Sequence, residues 1–148
     1  MKAYCFVNRY CIGIQAGIQA AHALVRLGEM RDDSGAYKKW ANEEETLCVL
    51  SASDHDHLAN IEMTIKEMDL DIPVASFQEA GLNNSLTAVA FIADERIIKI
   101  QQEVYEWREL RKRNEGKTRG VFDSDMFYRH GQRYALVKYL QEFKSHNG

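Results

Sequence analysis

The sequence predicts an α/β fold, a mixed four-stranded sheet with helices on both faces, followed by a C-terminal helical extension. Three observations predict it. Strand-length apolar runs alternate with helix-length amphipathic stretches through about the first 95 residues. Their order reads β-α-β-α-β-β. Strands joined through helices pair in parallel by right-handed crossovers, and the last two are close enough to form a hairpin. From Asp94 onward only helical spacing remains, in strongly charged sequence. The expected division is an α/β unit over residues 1–95 and a helical extension with a basic loop over 96–148.

The first strand is KAYCFV, rich in aromatic and β-branched residues. Residues 13–30 follow as a two-sided helix. At ~100° per residue, Ile14, Gly17, Ile18, Ala21, Leu24, Val25 and Gly28 form one apolar or small stripe, the expected packing face. Gln15, Gln19, His22 and Arg26 fall within ~60° of arc beside it. Gly13 and Gly17, four apart, predict close approach of this helix to the sheet. Trp40 anchors a short helix in the polar stretch 31–45.

TLCVLSAS (46–53) reads as a second strand, apolar enough to be buried on both faces. Asp54 is placed to cap a helix over about 55–69, whose Leu58, Ile61, Ile65 and Met68 recur at helical spacing. Pro73 precedes a third strand, VASFQE. Gly81-Leu-Asn-Asn-Ser is a turn, and LTAVAFIA (86–93) is the fourth strand. Residues 95–114 place Ile97, Ile100, Val104 and Trp107 three and four apart, as a helix does. Gly116 and Gly120 bracket the basic loop, and a final helix spans about 125–145 with Leu136, Leu140 and Phe143 on one side. These last helices form either a hairpin packed on the sheet or a dimerisation arm.

The composition, 45% hydrophobic and 28% charged over 148 residues, is that of an ordinary globular domain. No apolar run nears the ~18 residues of a membrane span, and the N-terminus lacks a signal-peptide core. Cys5, Cys11 and Cys48 show no C-x-x-C spacing, which fits a reducing, cytoplasmic setting. Charge is segregated: residues 1–100 carry 9 Lys/Arg against 15 Asp/Glu, and residues 101–148 carry 10 against 7. The basic excess concentrates in Arg108, Arg111, Lys112, Arg113, Lys117 and Arg119, a pattern that suits an anionic partner.

Several chemistries find no support. His55 and His57 are two apart, the wrong spacing for one helical face, and sit at a helix start, so no metal site is expected. There is no H-E-x-x-H, P-loop, G-x-G-x-x-G or G-x-S-x-G, and no cofactor is expected. What remains is the polar row of the first helix. If the helix follows the first strand directly, that row borders the carboxyl edge of the sheet, where open α/β sheets place their ligands.

The segment NRYCIGIQAGIQAAHALVRL resembles the first helix of type II peptidyl-tRNA hydrolases, with Gln19-Ala20-Ala21-His22-Ala23 matching the end of the family pattern. Trp40, TLCVLSASDHDHL and FQEAGLNNSLTAVAF fall in register with further family segments, so the resemblance covers about residues 1–95. It implies a mixed sheet covered by helices, commonly a homodimer, that hydrolyses the ester joining a peptide to the 3′ ribose of tRNA. Water must attack that ester, so the site needs positioning groups and stabilisation of a tetrahedral oxyanion. By position, the resemblance assigns the catalytic roles to Gln19, His22, Glu79 and Thr87. Gln15 and Arg26 would join the basic segment in binding substrate.

Gln15 stands where the family carries a lysine. An amide still donates a hydrogen bond, but an ionised donor makes bonds about twice as strong. Two readings therefore stand side by side: an ester hydrolase, and a catalytically inactive protein of the same fold that holds RNA or a nucleotide-like anion.

Overall fold

The computed structural model describes residues 1–148. Strand β1 (Lys2–Asn8) lies inside the sheet, with β2 (Leu47–Ala52) parallel on one side and β4 (Ser85–Ala93) antiparallel on the other. β3 (Val74–Glu79) pairs antiparallel with β4 and completes the order β2-β1-β4-β3. The mixed four-stranded sheet carries helices on both faces, as the sequence predicts.

One face is built from small side chains. Ala3, Cys5, Val7, Ala75, Ala88 and Ala90 meet Ala16, Ala20, Ala23 and Leu27 of α1 (Ile14–Glu29), with Trp40 closing the end of the cluster. Alanine against alanine brings the helix axis close to the sheet, and that closeness selects which side of α1 is buried. The expected stripe is not that side. Ile14 and Val25 are 79% and 59% exposed, Ile18 is also exposed, and Gly17 faces open space. Hydropathy favours the isoleucines, but against an alanine floor their bulk would hold the helix off. Gly28 makes the close approach within α1: a Cβ there would stand 2.8 Å from the Tyr37 ring. Gly13 sits at the N-cap with φ 57°, a left-handed value that suits glycine.

The opposite face is aromatic and larger. Tyr4 and Phe6 stack with Phe91 at 5.5 and 6.4 Å. Leu58, Ile61 and Ile65 of α3 (His55–Glu67) cover them, as do Ile97, Ile100 and Val104 of α4 (Glu95–Lys112). Asp54 caps α3 by accepting from His57 N at 2.8 Å. Trp40 ends α2 (Ala36–Lys39), opens a π-helical turn, and donates its indole N–H to Thr46 O at 2.8 Å.

The expected final helix over 125–145 is two helices, α5 (Arg119–His130) and α6 (Gln132–Leu140), broken at Gly131 with φ 55°. Gly120 accordingly lies in the first turn of α5, not at a loop end. Met126 of α5 and Leu136 of α6 are fully buried in the same apolar cluster as Phe6 and Phe91, so the C-terminal helices join the core on that side of the sheet, packed on α4 and on each other. Glu103 of α4 holds both Arg129 and His130 at 3.1 Å, and Asp123 of α5 takes Tyr134 and Lys138 from α6.

β2 is an edge strand and not a doubly buried one: Leu47 is 43% exposed, and Cys48 and Val49 are half-buried. Its outer edge is partly covered by the chain end, where Ser51 N donates to Lys144 O and His146 N to Val49 O, each at 2.9 Å. Covering an edge in this way removes unpaired backbone groups. No helix is long and apolar enough to cross a membrane.

The assignment of the α1 faces has a direct test. Val25→Lys should change unfolding free energy by less than about 0.5 kcal/mol. Ala20→Leu should destabilise by about 1–3 kcal/mol through overpacking against the alanine face. Urea denaturation of both variants reads the difference, and equal effects would place the buried side of α1 elsewhere.

Candidate functional site

The site begins with a slip in strand pairing. Phe77 pairs with Ala88 and Gln78 with Leu86, which leaves Thr87 as the extra residue of a β-bulge. Leu86 and Val89 belong to the aromatic face and Ala88 to the alanine face. Regular alternation from Ala88 would turn Thr87 away from α1. The bulge turns it toward α1 instead, 99% buried, where its hydroxyl donates to Gln19 Oε1 at 2.5 Å.

Gln19 is the next link. It lies on the buried side of α1, 3% exposed, and its Nε2 donates to Glu79 Oε2 at 3.1 Å. A carboxylate only accepts, so the amide nitrogen must face Glu79 and the oxygen must face Thr87. The result is a continuous line, Thr87 to Gln19 to Glu79, drawn from β4, α1 and the end of β3. Glu79 Oε1 also accepts from Gly81 N at 3.3 Å, because the chain turns at once into Ala80–Leu82 and then through Asn83 and Asn84, both with positive φ.

These contacts set the charge state of Glu79. The hydrogen bond from Gln19, and then that from Gly81 N, hold its carboxyl below the ordinary glutamate range, with a smaller contribution from His22. His22 is exposed, one helical turn beyond Gln19, and stacks on Phe77 with ring centroids 4.3 Å apart and planes 14° apart. Alternation along β3 puts Phe77 and Glu79 on the same side, so the imidazole and the carboxylate share one surface.

Cysteine chemistry is disfavoured there. Burial, and then the Glu79 charge, push the Cys11 thiol up, and burial takes Cys5 to about 12. Neither is a ready thiolate.

The other expected binding residues are not gathered here. Gln15 is exposed in the first turn of α1, and its side-chain amide makes no hydrogen bond to protein. Arg26 is exposed and lies 4.0 Å from Glu29. Arg108 donates to Gln141 at 2.7 Å, while Lys112 and Lys117 pair with Glu109 at 2.7 Å and Asp125 at 3.6 Å. Arg111, Arg113 and Arg119 are exposed and form no ion pair. Since α4 packs on the aromatic face, this basic segment lies on the side of the sheet opposite α1.

Residue-by-residue reading missed three contributors. Phe77 is the shelf for His22. Asn8, buried at the end of β1, shapes the turn into α1 by accepting from Tyr10 N with its side chain and from Cys11 N with its carbonyl. His55 Nδ1 accepts from Leu86 N at 2.8 Å and so ties the start of α3 to the strand end that carries the bulge. Phe77 alone had a signal, its place two residues before Glu79 in a strand.

The sheet order, the bulge and this polar line accompany a sequence match. The family model for peptidyl-tRNA hydrolase PTH2 matches residues 9–104, and the chain belongs to that family. No curated protein matches it in sequence.

Two outcomes follow from this geometry. Thr87→Val should leave Gln19 Oε1 buried without its donor and cost about 1–3 kcal/mol, read by chemical denaturation against wild type. Because the folded pKa of Glu79 is lowered, its ionised form contributes stability fully present above the ordinary value of ~4.3 and lost as pH falls through the lowered value. The stability gap between wild type and Glu79→Gln should therefore close on acidification from pH 7 toward pH 3. A gap independent of pH would remove the charge from the account.

Proposed function

We propose that this protein hydrolyses the ester between peptide and tRNA, with Glu79 holding and deprotonating the attacking water. The observation that carries the reading is the Thr87–Gln19–Glu79 line, in which three positions named by the family pattern join into one hydrogen-bonded unit. Gln19 and Gly81 N leave Glu79 ionised but not saturated, since a carboxylate offers about four acceptor sites and two are occupied. A water can take another. Thr87 and Gln19 do not touch substrate in this scheme; they fix the direction in which the carboxylate faces.

His22, exposed on its Phe77 shelf, is placed to donate to the ester oxygens as negative charge develops, with Gln15 as a neutral donor about two turns further back along α1. The basic segment Arg108–Arg119 lies on the other side of the sheet and serves, in this reading, as an outlying contact to tRNA phosphates. A second reading draws on Gln15: with no ammonium at the family's lysine position, the same surface holds RNA without turning it over.

Release of free tRNA from N-acylated aminoacyl-tRNA separates the two. Hydrolysis predicts turnover by wild type, a fall of about 10²–10⁴ in kcat for Glu79→Gln, and a gain for Gln15→Lys. Tight, salt-sensitive RNA binding with no turnover by wild type would sink the hydrolase and leave the binder.

A further inference from the structure

A cavity of about 570 Å³ opens at the carboxyl edge of the parallel β1–β2 pair. Four separate pieces of chain wall it: the turn after β1 with Arg9, the end of β2 with Ser51 and Ser53, the start of α3 with His57, and the chain end from Glu142 onward with Lys144. The chain end is held in place. Phe143 packs edge-on against Phe6 at 4.8 Å, and Ser145 bridges antiparallel to Leu50. His146 spends both ring nitrogens on anchoring, accepting from Gly148 N at 2.9 Å and donating to Asn8 O at 3.2 Å.

The remaining donors are unspent. Lys144 forms no ion pair, and the hydroxyls of Ser51 and Ser53 bond to no protein acceptor. Arg9 donates to the Tyr10 hydroxyl at 3.5 Å, lies over that ring at 5.3 Å and forms no ion pair within 4 Å. Ser53 N donates to His57 Nδ1 at 3.0 Å, so a neutral ring carries its proton on Nε2, as a further donor. Only one acidic side chain, Glu142, lines the cavity, in a chain of net charge −3. Asp54 is nearby, but its carboxylate is engaged in capping α3.

Two cations, two hydroxyls and an imidazole N–H around one hollow outnumber its one acidic side chain, Glu142. A phosphate supplies the acceptors: several anionic oxygens at tetrahedral angles, suited to the guanidinium fork and the ammonium point charge together.

We propose that this cavity is a phosphate-binding subsite closed by the chain end. On the reading that the protein acts on peptidyl-tRNA, it receives a backbone phosphate of the acceptor strand. Both sites lie on the same sheet edge, with β1 and β4 between the end of β2 and the end of β3 that carries Glu79. Asn8 pairs with Ala52, Val7 with Ala88 and Phe77 with Ala88, so the strand that ends in Glu79 stands three strand spacings from β2, roughly 14 Å. A short single strand can cross that edge with its ester near Glu79 and a phosphate in the cavity.

The test uses the full chain and two probes, inorganic phosphate and a short single-stranded RNA, titrated by calorimetry. NMR signals of the His57 ring report occupancy directly. The proposal expects saturable phosphate binding, displacement of phosphate by the RNA, and about tenfold weaker phosphate binding in each of Arg9→Ala and Lys144→Ala. Arg31→Ala, beyond the end of α1 where Arg31 pairs with Asp33 at 3.0 Å, should leave phosphate affinity unchanged. Phosphate binding without displacement by RNA would keep the subsite and assign it to free phosphate. Absence of saturable phosphate binding, affinity equal to wild type in both variants, or an unmoved His57 signal would overturn the subsite. The two claims fail separately: phosphate binding with no ester turnover removes the hydrolase alone, and turnover with no phosphate binding removes the subsite alone.

Discussion

A buried primary amide must satisfy an acceptor and a donor at once, and Gln19 does so with one partner from each of two strands. Its oxygen takes the Thr87 hydroxyl and its nitrogen serves Glu79. That requirement ties α1, β3 and β4 to one relative placement. Shifting the helix by one residue would bury the amide against alanine with neither bond made. The alanine floor beneath α1 and the bulge at Thr87 are the structural conditions under which the requirement is met.

The bulge also shows how a local irregularity sets a functional surface. Side chains alternate along a strand, so a regular β4 could not send both Thr87 and Ala88 toward α1. One unpaired residue does it. His55 then fixes the start of that strand from the other face, through the Leu86 amide. The polar line is thus supported from both sides of the sheet, and the carboxylate it ends on stays ionised because its hydrogen bonds favour the charged form.

The C-terminal helices do more than lengthen the chain. They extend the aromatic side of the core through Met126 and Leu136 and then deliver a chain end that covers the outer edge of β2. A free strand edge is a template for unwanted pairing, and this one is partly closed by the protein's own backbone. The same few residues bring Lys144 and His146 to the sheet edge on which Glu79 also lies.

Strand and helix order, the Asp54 cap, the Trp40 anchor, the turn at Gly81 and the family resemblance were all legible in the residues, because each depends on local periodicity or short-range hydrogen bonding. Gln19, His22, Glu79 and Thr87 were nameable from motif order. The exposed Ile14, Ile18 and Val25 were misjudged, since hydropathy ranks isoleucine above alanine and cannot see that the opposing sheet face is alanine. β2 read as doubly buried because an apolar strand looks the same at a sheet's centre and at its edge. The break at Gly131 was hidden by helical spacing that continues on both sides of it. By itself, then, the sequence determined the kinds of element, their order and the chemical groups at hand. Tertiary structure alone decided which face of α1 is buried, that Thr87 turns toward Gln19, and that Arg9, His57 and Lys144 line one hollow. Those outcomes depend on contacts between residues far apart in the chain, such as Gln19 with Thr87 and Asn8 with His146, and no local pattern encodes them.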